Sequence, residues 1–190
     1  MPDLRVVLLG PPGVGKGTQA KRICESCGLC SLSTGEMLRQ AVAAGTPLGK
    51  IAGEYMSCGR LVPDDVIIGV VRERLCAETL DGGFLLDGFP RTVKQAEALD
   101  AMCESHERPI THVIAFEAEE SVLLQRISGR AAIEGRTDDD IEVAKQRLRV
   151  YEEATAPLID YYEKQGKLHR IPAGGTISEV FESVREVLES

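Results

Sequence analysis

Residues 10–18, Gly10-Pro11-Pro12-Gly13-Val14-Gly15-Lys16-Gly17-Thr18, constrain the chain more than any other stretch. The apolar, β-branched run Leu4–Leu9 (LRVVLL) ends at this glycine-rich turn, and helical character from Gly15 to Cys27 follows it. A buried strand, a glycine-rich loop and a helix in that order bring backbone N–H groups and the positive end of a helix to one point. Such a point holds phosphate oxygens, and Lys16 adds a mobile point charge for the outer ones. The general form of such loops has Ser or Thr directly after the Lys; here Gly17 intervenes and Thr18 follows.

Short apolar runs alternate with helical patterns through the rest of the chain. Strands are expected at Ser31–Ser33, Gly83–Asp87, Thr111–Phe116 and Leu168–Ile171. Helices are expected over Glu36–Ala44, Leu48–Cys58, Pro63 to about Thr79, Val93–Ser105, Glu119–Ser128 and Ser178–Leu188. One long helical stretch is expected from Asp138 or Asp139 to about Lys164. Alternation of this kind implies βαβ units and a mainly parallel α/β sheet, with chemistry just beyond the carboxyl ends of the strands.

Three more segments fall at those places. In Leu85-Leu86-Asp87-Gly88-Phe89-Pro90-Arg91-Thr92, Asp87 ends a strand, where an acid that helps hold Mg²⁺, directly or through water, belongs. Arg91 follows a Pro-fixed turn and is placed to face a second anion, although an Asp at a strand end is also ordinary turn chemistry. Arg126 and Arg130 share a helix face, Arg136 precedes the long helix and Arg147 lies within it. Alone these arginines read as a solvated face; beside the phosphate loop they read as fixed cations for a moving phosphoryl group. In Ser33-Thr34-Gly35-Glu36-Met37-Leu38-Arg39, a hydroxyl before a helix is either another anion-binding terminus or simply a cap.

Composition narrows the partners. Lys and Arg total 22 against 30 Asp and Glu, a formal charge of −8, which argues against a general binder of nucleic acid or anionic membrane. No apolar run approaches the ~20 residues of a membrane span. The N-terminus has no charged-then-apolar leader before the glycine-rich loop, so the expected compartment is the cytoplasm. The three His residues, His106, His112 and His169, lie away from these motifs, which disfavours covalent and His-based acid–base mechanisms. Cys24, Cys27 and Cys30 have the close spacing of metal ligands, but no second pair completes a tetrahedral set, and buried thiols at a helix–strand junction explain them as well.

Together GPPGVGKGT, STGEMLR, GRLVPD, LLDGFPRT with Gln95, the Arg126/Arg130 pair, GRTDD and QRLRVYEEATAPLIDYY resemble the adenylate kinases, within the nucleoside monophosphate kinases, over essentially the whole length. In that family Lys-Gly-Thr is the normal form of the loop. The resemblance implies a single P-loop NTPase-type α/β domain over residues 1–190, with a five-stranded parallel sheet flanked by helices. It implies two small mobile parts, an AMP-binding segment over 33–62 and a short lid over 129–139. It implies Mg-ATP + AMP ⇌ 2 ADP without a covalent intermediate, with Mg²⁺ as cofactor, nucleotides as the only partners, and a monomer.

By similarity, Gly13, Val14, Gly15, Lys16, Gly17 and Thr18 hold ATP phosphates, Arg126 and Arg130 reach them on lid closure, and Gly175 lies near the adenine. Thr34, Arg39, Arg60, Leu61, Val62, Gly88, Phe89, Pro90, Arg91 and Gln95 form the AMP pocket. Arg136 and Arg147 bridge toward the AMP phosphate and the transferring group. Residues 129–139 contain no Cys or His, so the structural zinc of longer-lid relatives is not expected. The rival within the family, a UMP/CMP kinase, typically has Ala at Thr34 and Asn at Thr92; Thr34, Thr92 and Gln95 favour adenine. The Asn/Thr-Lys-x-Asp signature of a GTPase switch is absent from the sequence, and a non-catalytic nucleotide-binding regulator would have lost some of the arginines that remain here.

Overall fold

The computed structural model describes residues 4–77, 82–134 and 140–189, with side chains except at 77 and 131–134. Arg5–Leu9 (β1), Cys30–Ser33 (β2), Phe84–Asp87 (β3), His112–Glu117 (β4) and Leu168–Pro172 (β5) form one sheet in the order β2-β3-β1-β4-β5. Every pair is parallel. The registers Leu8↔Asp87 and Ser33↔Asp87 align the carboxyl ends of the first three strands. The loop after the central strand, Asp87 and the start of the following helix of β2 therefore emerge at one edge, as open parallel sheets require of a ligand site.

Alternation along each strand divides the core in two. Val7, Leu9, Leu86 and Val113 face one side, Val6, Leu8, Leu85 and Ile114 the other, each at most 2% exposed. The first side is covered by Thr34–Ala43 (α2), Pro47–Met56 (α3), Asp64–Ala77 (α4), Val93–Ser105 (α5) and Pro157–Glu163. The second is covered by Lys16–Cys27 (α1), Glu120–Glu134 (α6), part of Ile141–Val150 (α7) and Ile177–Leu188. Pro157–Glu163 and Ile177–Leu188 are α8 and α9. Cys24 and Cys27 pack on the second core and Cys30 on the first. The three thiols are thus divided between the sheet's faces, and among the described residues no group of three or more His, Cys, Asp or Glu side chains is placed to hold a metal ion.

Two expected elements differ. Helix α6 runs through Gly129 to Glu134 rather than stopping at Ser128. A single exposed glycine costs a helix only about 1 kcal/mol, and the Ala-Ala-Ile-Glu that follows favours continuation. The first six residues of the expected lid, 129–134, are therefore helical. The long helix expected up to Lys164 is instead α7, a π-type turn over Tyr151–Thr155, and α8. Pro157 has no N–H to continue the ladder. Just before it, the Ala156 N–H donates to the Tyr151 carbonyl five residues back, at 2.8 Å. Arg136, Asp138 and Asp139 lie outside the described residues, as does the expected end of α4 at Thr79. No described helix is long and apolar enough to cross a membrane.

Candidate active site

The loop after β1 is built around close approaches. A side chain on Gly13 (φ +83°) would begin 2.7 Å from the Leu123 carbonyl oxygen and 2.8 Å from Ile127 Cγ1, so the loop lies directly on α6 and only glycine fits. Val14 is buried beneath it, and the Lys16 ammonium donates to the carbonyls of Gly10 (2.6 Å) and Pro11 (2.9 Å). Burial lowers Lys16 from 10.5 to about 8; Asp87 opposes this, while Arg91, Arg147 and Arg130 add to it. Three guanidinium groups, from α6, α7 and the loop between β3 and α5, therefore act on one lysine, in a chain whose net charge is −8.

Asp87 Oδ2 lies 3.6 Å from where a side chain on Gly17 would begin, so this carboxylate borders the first turn of α1. An oxygen donor beside a phosphate loop suits Mg²⁺, which takes one or two carboxylates and otherwise phosphate oxygens and water. The Arg126 guanidinium on α6 donates to the Ala173 carbonyl at 2.9 Å and makes longer bonds to the carbonyls of Val14 (3.3 Å) and Gly175 (3.4 Å). It thus ties α6 to both the phosphate loop and the loop between β5 and α9.

On the other side of Asp87, Arg91 is held along both its backbone and its side chain. Its Nε donates to the Gly88 carbonyl (2.8 Å), its backbone N–H to Gln95 Oε1 (2.7 Å), and its carbonyl accepts from the Thr155 hydroxyl (2.9 Å). The buried Thr155 belongs to the π-type turn, so this irregular turn supports a site residue. Thr34 caps nothing; its hydroxyl donates to the Gly88 carbonyl at 2.8 Å, and Ser33 makes no side-chain cap either. Gln95, 2% exposed, also donates from Nε2 to Asp64 Oδ1 at 2.7 Å. Arg147 reaches over from α7: a side chain on Gly59 (φ +67°) would begin 3.2 Å from Arg147 Cγ and 3.0 Å from the Val143 carbonyl oxygen. The Arg39 guanidinium folds back against Gly35, and that of Arg60 lies 5.2 Å from the centre of the Tyr55 ring.

These residues line two joined spaces. A cleft of about 1270 Å³ is bordered by residues 12–18, Asp87, Gly88, Pro90, Arg91, Arg126, Arg130, Arg147 and Gly175. A recess of about 70 Å³ is bordered by Thr34, Arg39, Arg60, Leu61, Val62 and Gln95. Gly35, Arg39, Gly59, Leu61, Gly88, Arg91 and Arg147 border both. Phe89 borders neither; its side chain is wholly buried in the first core. Sequence reasoning missed Asp64, which reads as a helix-starting acid, and Thr155, which reads as an ordinary helix residue. Only the three-dimensional contacts to Gln95 and Arg91 reveal what they support.

Comparison with known proteins shows the family. The family model for adenylate kinase matches residues 8–167. An adenylate kinase of Nitrobacter winogradskyi is 48% identical over 97% of this chain and 93% of its own length. Adenylate kinases of Xanthomonas oryzae pv. oryzae and Xanthomonas campestris pv. campestris are 46% and 45% identical, each over 97% of this chain and 99% of their own. The chain belongs to the adenylate kinase family, and is a nucleotide phosphotransferase.

Proposed function

We propose that the chain transfers the γ-phosphoryl group of Mg-ATP directly to AMP, reversibly, giving two ADP and balancing the adenine nucleotide pool, and that it does so as a cytoplasmic monomer. The observation that carries this reading is the convergence of Arg91, Arg130 and Arg147 on Lys16, with Arg91 and Arg147 bordering both spaces. The joined spaces also exceed the ~300–1,000 Å³ of an ordinary single-ligand pocket, as two nucleotides require.

In this reading residues 13–18 cradle the ATP phosphates, Lys16 leaves its loop carbonyls for the outer phosphates, and the adenine lies toward Gly175. Segment 33–62 with Gly88, Arg91 and Gln95 takes AMP. Residues 129–139 act as the lid, bringing Arg130 and Arg136 onto the transferring group and excluding water, which would otherwise accept it. Asp87 would hold Mg²⁺ through water, and the ion would neutralise charge on the β- and γ-phosphates. The attacking AMP phosphate is already anionic, so no protein base is needed. Positioning and the fixed cations carry the reaction, through charge spread over the equatorial oxygens of the moving group.

The test is phosphoryl transfer from Mg-ATP to AMP, CMP, UMP and GMP, with ADP followed directly. Transfer efficient to AMP alone is expected. Preference for UMP or CMP would overturn the acceptor assignment, and binding of ATP without transfer would overturn the reaction.

A further inference from the structure

The hydrogen bonds around Gln95 define which end of its amide is which. Only an oxygen accepts from the Arg91 backbone N–H, and only a nitrogen donates to the Asp64 carboxylate. The two contacts, both at 2.7 Å, therefore fix Oε1 toward Arg91 and Nε2 toward Asp64. A flipped amide would set Nε2 against an N–H and Oε1 against a carboxylate, two repulsive contacts in a side chain 2% exposed. Asp64 is itself held: Oδ1 also accepts from the Thr92 hydroxyl at 3.1 Å, and Thr92 caps α5 by accepting from the Gln95 N–H at 3.2 Å. The start of α4 and the start of α5 are thus tied through one carboxylate oxygen.

After these bonds the amide retains one acceptor site on Oε1 and one N–H on Nε2. Adenine offers a donor at N6 and an acceptor at N1. A 6-oxopurine offers the reverse, an acceptor at O6 and a donor at N1. An amide that can turn over serves either base; one that cannot serves one pattern only. We propose that Asp64, by fixing the orientation of Gln95 together with the Arg91 backbone N–H, is a specificity-determining positioning residue that selects 6-aminopurine over 6-oxopurine monophosphates at the acceptor site. This rests on the reading of the recess beside Gln95 as the acceptor-base site.

The neighbouring acid provides a control. Asp65 sits in the same first turn of α4 but is exposed and pairs with Lys94 at 2.9 Å. Asp65→Asn removes the same charge from the same helix terminus without touching the amide.

The experiment measures kcat/KM for AMP and for IMP, which differs at the 6-position and N1 alone, in the wild type and in Asp64→Asn, Asp64→Ala and Asp65→Asn, with folding checked by thermal melting. The wild type is expected to prefer AMP by at least about a hundredfold, since a mismatched edge leaves buried polar groups unpaired. Asp64→Ala, which removes one of the two contacts that hold the amide, is expected to lower that ratio about tenfold; Asp64→Asn, whose Oδ1 can still accept from Nε2, is expected to lower it less, and Asp65→Asn to leave it unchanged. Folded Asp64 variants that lose AMP and IMP activity in equal proportion would show a purely structural role and overturn the proposal. So would equal use of the two substrates by the wild type, a result that needs no variant to fold. Wild-type turnover of AMP with an unchanged ratio in the variants overturns this inference alone; no wild-type turnover of AMP overturns the underlying reading and this inference with it.

Discussion

Lys16 illustrates how much of the site is set by single side chains. Its ammonium is satisfied by two loop carbonyls, yet burial and three arginines push it down to about 8. Polyphosphate beside it would raise that value again. The sign follows directly: between the free and the bound value, the complex holds a proton that the free protein does not. At pH 8.5, ATP binding is expected to take up more than about half a proton, and at pH 6.5 almost none from this group. Calorimetry in two buffers of different ionisation enthalpy measures this, and Lys16→Met is expected to abolish the uptake. The same variant should lower turnover about 10²–10³-fold, the scale of losing one preorganised charge donor, while its melting temperature stays near the wild type. The thiols follow burial as well. Cys103 is pushed up to about 12, and Cys24 and Cys27 are raised, so the exposed Cys58 and Cys76 are expected to react first with a thiol reagent in the folded protein.

Elements carry the next level of the design. The phosphate loop was legible because its residues, flanking strand and flanking helix lie contiguous in sequence and each obeys a local rule. The five strands were legible for the same reason, to within a residue or two at their ends. The support of Arg91 was not legible: Thr155 lies 64 positions away in sequence, within a turn whose π geometry no local pattern announces. Asp64 escaped because a first-turn acid has a sufficient local reason to be there. Gly129 misled in the opposite direction, as a local stop signal that the surrounding helix overrides.

Two substitutions separate structural from functional elements. Thr176 and Glu179 form a reciprocal capping box at the start of α9. Thr176→Ala should destabilise by about 1 kcal/mol, a fall of about 2–4 °C in Tm, with kcat/KM unchanged. Thr155→Val removes only the hydroxyl bond to the Arg91 carbonyl. It should cost stability similarly, about 0.5–1.5 kcal/mol, but lower phosphoryl transfer about tenfold by loosening Arg91. Steady-state kinetics on both variants makes the contrast; equal effects on activity would contradict it.

For the molecule as a whole, the parallel sheet gathers what the sequence scatters. Lys16, Asp87, Arg91, Arg130 and Arg147 span most of the chain and meet beyond the carboxyl ends of β1 and β3 because the register Leu8↔Asp87 brings those ends together. The two faces of the sheet hold separate cores, so the site is framed by rigid packing on both sides, with the phosphate loop fixed to α6 through Gly13 and Arg126. In the proposed reading, one nucleotide lies on each side of Asp87 and Arg91. The most direct test supplies ADP and Mg²⁺ alone and follows the reaction by phosphorus NMR, because a single nucleotide must then fill both sides. ATP and AMP are expected to appear in equal amounts, with no inorganic phosphate. Unchanged ADP, or its loss as free phosphate, would contradict direct transfer between two bound nucleotides.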